Sequence, residues 1–278
     1  MMALYDQVCN QLSRVVTLRY STSFSLGIRM IERSIRPHIF AIYGFVRLAD
    51  EIVDTFHDYD KEALLHQFRS DTYQAIEDGI SLNPILHAFQ KTVNTFGIER
   101  KLIDQFLHSM EMDLHPQDYE RELFETYILG SAEVVGLMCL KVFCRGDQAG
   151  YERLKPGAMR LGAAFQKVNF LRDIKADKEE LGRIYFPNWT SGQLNDELKA
   201  AIEQEIAEDF RMARESISKL PGEVKIGVYS AYVYYKALFL KIRSCKPHTL
   251  FQKRVRISNP HKMALLFLAL MNIKLNRV

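Results

Sequence analysis

The chain has 278 residues, of which 47% are hydrophobic, and a formal net charge of +3. This length allows one large domain or two smaller ones, and the apolar content is sufficient for a sizeable core. Basic residues are interspersed with acidic ones over most of the chain, which argues against nucleic-acid binding. No stretch is rich in proline, glycine or serine. We therefore predict a single all-α domain over residues 1–278.

The four cysteines are scattered, without the spacing of metal ligands. Such usage is typical of reduced thiols in the cytosol. The N-terminus lacks the charged-then-apolar order of a signal peptide. The longest uninterrupted apolar run, Met263 to Met271, is shorter than the roughly 20 residues that span a bilayer. We expect a cytoplasmic protein with no signal peptide and no transmembrane helix.

Apolar residues recur at helical spacing along most of the chain, which predicts helices. Gly79 and Gly97 are the expected stops of two of them, and Pro37 fits the first turn of another. A helical pattern also runs from Pro156 toward Leu181. It fades near the end of this stretch, because residues 178–190 no longer follow it. The remaining helices are expected over 3–19, 37–56, 61–78, 84–96, 99–113, 118–143, 194–219, 222–244 and 260–275.

Two predicted helices each carry one polar stripe. The first aspartate stripe is Tyr43, Arg47, Asp50 and Asp54, with steps of four, three and four residues. The second aspartate stripe is Gln166, Asn169, Asp173 and Asp177, with steps of three, four and four. Residues at these spacings share one face of a helix.

Carboxylate and amide oxygens suit Mg²⁺, which proteins hold through a few carboxylates together with substrate phosphates. Acidic pairs four apart also arise by chance among 34 acidic residues, so one pair alone is a weak signal. Two facing stripes would bring four aspartates around a common space. Like charges that close are unfavourable without metal, so stability should depend on Mg²⁺.

The two stripes resemble the aspartate-rich motifs of the squalene/phytoene synthase family, whose members join two prenyl diphosphates head to head. Further resemblances follow in order along the chain: YSTSF at 20–24, MEMDL at 110–114, YILGSAEVVG at 127–136, GRIYFP at 182–187, Tyr235 and KRVRI at 253–257. The resemblance covers nearly the whole chain. It implies an isoprenoid synthase fold, with helices around a central cleft where the two motifs face each other.

The resemblance implies a role for individual residues. Mg²⁺, or Mn²⁺ in its place, would be held by Asp50, Asp54, Asn169, Asp173 and Asp177. The four aspartates with Tyr43 and Arg47 would form the catalytic set. Substrate binding is expected from Tyr20, Ser21, Thr22, Ser23, Phe24, Tyr43, Arg47, Gln166, Arg172, Arg183, Tyr235 and Arg254. Aromatic rings can stabilise an allylic cation, and the candidates are Phe24, Tyr43, Phe165 and Tyr235.

Plainer interpretations remain open for some of these residues. Ser21 and Ser23 could cap a helix, and Arg47 could pair with Asp50. The segment 178–190, which carries Arg183, is hypothesised to close over bound diphosphate. The small residues of 130–136 could permit tight helix packing or open a bend beside an apolar pocket, and we favour the pocket.

Four positions depart from the family pattern. Glu51 stands where many members have a second Asp, outside the Asp50/Asp54 spacing. Thr22 replaces a common lysine, which affects one expected phosphate contact. Lys167 replaces a frequent apolar residue, and Glu133 a frequent small one. A carboxylate at 133 is expected to narrow or polarise the chain pocket, so Glu133 and Phe165 are our first candidates for setting substrate length.

The resemblance implies a prenyltransferase of isoprenoid biosynthesis, and we expect a carotenoid-pathway phytoene synthase that joins two geranylgeranyl diphosphates through a cyclopropylcarbinyl diphosphate. No GxGxxG fingerprint occurs, which agrees with a product made without NADPH. The alternatives are an enzyme that joins two farnesyl diphosphates to dehydrosqualene or squalene, a non-catalytic assembly factor, and a helical scaffold with incidental acid pairs. The stretch from Lys241 to Lys262 has no acidic residue. It is expected to contact substrate phosphates or an anionic surface, such as the inner membrane face at product release.

Overall fold

The computed structural model describes residues 2–115, 119–187, 189 and 194–275, without the side chains of residues 22 and 23. Within these ranges the chain is all-α, with thirteen α-helices, one π-helical turn and no strand. The elements are α1 (Met2–Tyr20), α2 (Thr22–Met30), α3 (Arg36–Asp54), α4 (Lys61–Asp78), α5 (Pro84–Phe96), α6 (Arg100–Leu114), α7 (Arg121–Ile128), the π-helical turn (Leu129–Glu133), α8 (Val134–Cys144), α9 (Gln148–Glu179), α10 (Asp196–Ile217), α11 (Gly222–Arg243), α12 (Pro247–Gln252) and α13 (Asn259–Lys274).

The helices predicted from apolar spacing are confirmed, with ends that differ by a few residues. Gly79 and Gly97 end α4 and α5 with φ of 70° and 61°, the left-handed conformation that glycine adopts without steric cost. Asp60 and Asn83 cap the starts of the same two helices through their side-chain oxygens. These local signals explain why the sequence alone locates this part of the fold.

Three helical segments are absent from the sequence-based prediction. Helix α2 follows Ser21, which we expected only to interrupt a helix or cap one. Helix α12 is a short turn of six residues. Helix α9 begins at Gln148, well before Pro156, because Asp147 caps it by accepting a hydrogen bond from Gly150 N at 2.9 Å.

The predicted helix over 118–143 begins at Arg121 in the described part of the chain, and the π-helical turn interrupts it. Gly130 lies in that turn, where a Cβ would be 2.7 Å from Ser109 Cβ of α6 and would also overlap the Gln105 backbone oxygen. Close approach of α6 therefore requires a glycine here. The stretch Arg121–Cys144 is long and apolar enough to cross a membrane by composition, but 56% of its most apolar window is buried within the protein. It has the position of a core helix.

The core is continuous and connects both halves of the chain. The rings of Phe45 and Phe89 stack with centroids 3.9 Å apart, and Phe106 lies 5.4 Å from Phe45. All three side chains are fully buried, and burial of one such ring stabilises a fold by about 1.5–3 kcal/mol. This packing fixes α3, α5 and α6 together, so the polar face of α3 is held in a defined direction.

Candidate active site

Both aspartate stripes line one cavity of about 810 Å³. Tyr43, Arg47, Asp50 and Asp54 reach it from α3, and Gln166, Asn169, Asp173 and Asp177 reach it from α9. The opposite face of α3 is buried through Ala41, Phe45 and Ile52 among others. The facing of the two stripes, which the family resemblance implies, is therefore confirmed.

The other predicted site residues come to the same cavity where the structure describes them. Its lining includes Tyr20, Ser21, Phe24, Arg172, Arg183, Tyr235 and Arg254. The side chains of Thr22 and Ser23 lie outside the described residues. Ser21 also accepts a hydrogen bond from Phe24 N at 3.1 Å, as the N-cap of α2. The interpretation of Ser21 as a helix cap is thus confirmed, and Ser21 also lines the cavity.

Arginines pair with the aspartates of both stripes. Arg183 Nη1 donates to Asp54 Oδ1 at 2.7 Å. Arg254 Nε lies 2.7 Å from Asp173 Oδ1, and Arg172 Nε donates to the same oxygen at 2.9 Å. Arg47 Nη1 is 3.7 Å from Asp50 Oδ2, and its Nη2 contacts Glu51. Positive and negative groups are therefore interleaved along the polar end of the cavity.

Two of these guanidinium groups keep a buried N–H without a partner. The Nε atoms of Arg47 and Arg183 are both buried and make no hydrogen bond. An unsatisfied buried donor costs about 1–3 kcal/mol, and more when it is charged. A site with two such donors on cationic groups is suited to an anion with several acceptor oxygens.

Asp113 is a site residue that the sequence reasoning did not assign. Its carboxylate accepts hydrogen bonds from Tyr127 Oη at 2.8 Å and Tyr185 Oη at 3.0 Å, and Arg183 Nη1 lies 3.5 Å away. The side chain lines the cavity although the residue is only 5% exposed. A signal was available, because Asp113 follows Phe106 and Met110 on the apolar face of α6, where an acid is unusual.

The carboxylates affect one another's protonation. Burial raises the pKa of Asp50 to about 7 and that of Asp113 to about 6, although Arg47 and Arg183 lower them. Burial, with the nearby charges of Asp173 and Asp54, raises the pKa of Asp177 to about 8. At these three carboxylates, burial and the repulsion of neighbouring aspartates therefore outweigh the attraction of the arginines.

The donor set fits a hard divalent cation. All candidate ligand atoms are carboxylate or amide oxygens, which Mg²⁺ prefers. Burial and the charges of nearby aspartates raise the pKa of Asp50 and Asp177, and a bound cation would favour their ionised forms. Across the described ranges, no group of three or more His, Cys, Asp or Glu side chains is arranged so that it could hold a metal ion by itself. Metal would therefore bind here together with an anion that supplies further oxygens, or after the arginines change partners.

The rest of the cavity has largely apolar walls. Along α9 its lining runs from Leu154 to Asp177, which is about 34 Å of helix. Ser131, Ala132 and Gly136 border it from the π-helical turn and α8, as favoured from their small size. Gly130 instead meets α6. The remaining apolar walls include Val135, Cys139, Leu140, Phe143, Leu161, Ile217 and Leu220.

Aromatic rings stand between the polar end and this apolar part. Phe165 and Tyr235 stack with centroids 4.0 Å apart, and Tyr235 Oη donates to Asn169 Oδ1 at 3.3 Å. The rings of Phe24 and Tyr43 lie 5.7 Å apart on the α2–α3 side. All four line the cavity.

Two departures from the family pattern belong to a separate charged cluster. Glu133 is not among the lining residues, so the expectation that it narrows or polarises the pocket is wrong; Phe165 does line the cavity. Burial raises the pKa of Glu133, with Arg160, Asp209 and Lys167 nearby. Lys167 is buried and donates to Asp209 Oδ2 at 2.8 Å. An ion pair between α9 and α10 thus replaces the apolar contact expected at 167.

Comparison with known proteins identifies relatives of the whole architecture. The squalene/phytoene synthase family model matches residues 17–261. The chain is 27% identical to phytoene synthase 3 of Zea mays over 89% of its own length, but spans only 62% of that protein. It is also 27% identical to the phytoene synthase of Arthrospira platensis, covering 93% of this chain and 91% of the relative.

A crystal structure of a dehydrosqualene synthase in complex with ligand superposes with a TM-score of 0.85 and 21% identity, covering 97% of this chain and 98% of the other. This likeness establishes the fold. Together with the match of the family model over most of the sequence, it shows that the chain belongs to the squalene/phytoene synthase family.

Proposed function

We propose that the protein is a prenyltransferase of the phytoene synthase type, which joins two geranylgeranyl diphosphates head to head. The observation that carries this proposal is the single cavity in which both aspartate stripes adjoin a long apolar lining. A diphosphate with a prenyl tail has the same division into a charged head and an apolar chain. The phytoene synthase relatives support the C20 substrate.

The charged groups are proposed to bind and orient the diphosphates. Asp50, Asp54, Asn169, Asp173 and Asp177 would hold Mg²⁺, which when bound would offset the charge that develops on the leaving diphosphate. Arg47, Arg172, Arg183 and Arg254 supply fixed positive charge at the same end. Arg183 and Arg254 would exchange a carboxylate oxygen for a phosphate oxygen when substrate binds.

The apolar and aromatic walls are proposed to control the carbocation. Loss of diphosphate leaves an allylic cation that must react with the second prenyl chain before water reaches it. The lining of α8 and α9 excludes water, and the faces of Phe165 and Tyr235 can stabilise positive charge nearby. The first half-reaction forms a cyclopropylcarbinyl diphosphate and releases a proton, which diphosphate accepts. The second releases the remaining diphosphate from this intermediate, and the rearranged cation loses a further proton to diphosphate, which gives the linear product without a reductant.

Product analysis tests the proposal directly. Purified protein with Mg²⁺ would be incubated with geranylgeranyl or farnesyl diphosphate, with and without NADPH, and the hydrocarbons identified by mass. We expect a C40 product from the C20 substrate without NADPH. A C30 product would keep the chemistry and replace the substrate, with NADPH dependence separating squalene from dehydrosqualene. A folded protein that forms no product from either would instead be a non-catalytic family member.

A further inference from the structure

Helix α13 carries an apolar face that no other described element covers. Ala269 is its one buried residue, and Leu265 and Ile273 pack against the core. The opposite face exposes Met263, Phe267, Leu268, Met271 and Leu275 by 56%, 66%, 49%, 39% and 50%. Spacings of three and four residues place these side chains on one side of the helix. We call this set the α13 apolar face.

The same part of the chain is strongly basic. Eleven of the 37 basic residues and none of the 34 acidic residues follow Glu223. The segment 224–278 therefore carries a charge of +11, whereas residues 1–223, with 26 basic and 34 acidic residues, carry −8. Several of these basic side chains are exposed between α11 and α13, including Lys246 and Lys253. The overall charge of +3 conceals this separation.

We propose that the α13 apolar face, with the basic residues beside it, docks onto an anionic lipid bilayer. Apolar side chains flanked by Lys and Arg are the composition of helices that lie in a membrane interface. The helix has 16 residues and is packed on α11, so it lies on the bilayer and does not cross it. A second copy of the chain is a poor occupant, because a symmetric contact would bring two segments of +11 together.

Docking through this face would bring the cavity rim to the membrane. Arg254 and Arg256, between α12 and α13, line the cavity together with Asn259 and Lys262 of the first turn of α13. The segment that opens onto the substrate space is therefore continuous with the docking face. A role of docking in product release rests on the proposed function, because only an enzyme with a hydrocarbon product needs a route into lipid. The binding itself does not depend on catalysis.

Vesicle flotation without substrate tests the docking face. The wild-type protein would be mixed with vesicles of pure phosphatidylcholine, or with 30% phosphatidylglycerol (on the order of the anionic content that attracts basic segments). We expect the anionic vesicles to bind at least about tenfold more tightly, and the advantage to shrink in high salt. Equal binding to neutral and anionic vesicles, or no binding to either, would overturn the proposal.

Matched variants distinguish vesicle binding through the α13 apolar face from non-specific adsorption of exposed apolar side chains. Phe267→Ser with Leu268→Ser should weaken anionic-vesicle binding at least about tenfold, because two large apolar side chains no longer enter the interface. Leu4→Ser with Val15→Ser is the control, since these α1 residues are 67% and 50% exposed, close to the values for Phe267 and Leu268. Unchanged binding by the α13 double variant, or an equal loss in the α1 control, would contradict the assignment.

The charges have their own pair of variants. Lys246→Gln with Lys253→Gln should weaken binding by about 30-fold, whereas Arg33→Gln with Lys101→Gln, also exposed, should not. Equal loss in both would show that net charge alone attracts the protein. Thermal melting and light scattering would accompany each variant. If Phe267→Ser with Leu268→Ser converts a dimer to a monomer without vesicles, the face belongs to a second copy and the lipid proposal is wrong.

Discussion

Arg183 Nη1 donates a 2.7 Å hydrogen bond to Asp54 Oδ1, and so joins the segment after α9 to the last residue of α3. Nη2 of the same guanidinium donates to the Asp113 backbone oxygen at 2.8 Å. Tyr185, two residues later, donates to the Asp113 carboxylate. The described part of this segment is thus tied to both α3 and α6 beside the cavity. Closure of this segment over bound diphosphate stays a prediction. Limited proteolysis with and without a diphosphate analogue and Mg²⁺ would check it, and unchanged cutting would count against it.

Arg183→Gln should lower the free energy of unfolding by about 3–5 kcal/mol, because it leaves the Asp113 carboxylate buried without its cation. Urea unfolding would measure this, and Asp113→Asn in the same background should recover part of the loss. Arg211→Gln is the control. Its partners Glu208 and Glu215 are exposed, so the expected change is much smaller, because solvent screens such surface pairs. Equal effects of the two arginine substitutions would contradict a structural role for Arg183.

Asp50→Asn or Asp173→Asn should reduce turnover by about 10²–10³-fold or more, while far-UV circular dichroism stays unchanged. The control is Asp58→Asn. Asp58 stands four residues after Asp54, the spacing of the first stripe, but it is exposed beyond the end of α3. It should keep the wild-type rate. Near wild-type turnover by either stripe variant would refute our assignment of the ligands.

The stability of metal-free protein should fall as pH rises through the neutral range. The pKa of Asp177 is about 8 in the folded chain and about 3.9 in an unfolded one, so the folded state binds the proton more tightly between these values. Its stabilising contribution is complete below about pH 4 and is lost as pH approaches 8. Urea unfolding in EDTA between about pH 6 and 8 should show this slope.

Asp177→Asn should flatten that slope, although Asp50 and Asp113, whose pKa values are also raised, leave part of it. Mg²⁺ with diphosphate should restore stability at pH 8 in the wild-type protein only. An unaltered slope in the variant would show that Asp177 is not the titrating group.

Two variants of Ser21 should separate its cap from a substrate contact. Ser21→Ala should destabilise the protein by about 1 kcal/mol through loss of the α2 cap. Ser21→Asp keeps a capping oxygen but adds negative charge at the cavity, so stability should be retained while KM for the diphosphate rises. Normal KM in the Asp variant would leave Ser21 with the capping role alone.

Gly157→Ala should destabilise the contact between α9 and α10. A Cβ at 157 would overlap Ser216, and forced overpacking costs typically 1–3 kcal/mol. Ser216→Gly should rescue the variant. The matched control is Gly222→Ala in the first turn of α11, where a Cβ meets nothing within 4 Å. Thermal melting would compare all four proteins, and a stable Gly157→Ala variant would mean that the helices can separate at no cost.

The sequence was most informative where function depends on spacing along one helix. Asp50 and Asp54 are one turn apart, as are Asp173 and Asp177, so their common directions follow from helical geometry alone. Their convergence on one cavity required the family resemblance, because helix-to-helix arrangement depends on contacts far apart in sequence. The stops at Gly79 and Gly97 were equally local and were confirmed for that reason.

The features that were missed or wrong depend on tertiary contacts. Asp113 acquires its role only when Tyr127, Tyr185 and Arg183 reach it from later parts of the chain. Glu133 was expected at the pocket, but the π-helical turn changes the direction of the residues around it, and its charged neighbours lie on α9 and α10. The sequence shows Asp113 on an apolar helix face, but the partners of Asp113 and Glu133 leave no periodic signal in it.

Mutations at the glycines along the cavity can add side-chain atoms but cannot remove any. Gly136, Gly157 and Gly162 belong to its lining, and a Cβ at 136 or 162 would lie within 2.9 Å and 2.6 Å of a facing backbone oxygen. At such positions two main chains are in contact, so any substitution adds atoms between them and none removes atoms. Single mutations at 136 or 162 must therefore displace the facing main chain, and they remove nothing from the cavity wall. Variants that accept longer substrates must instead arise from trimming side chains such as Phe143 or Leu154.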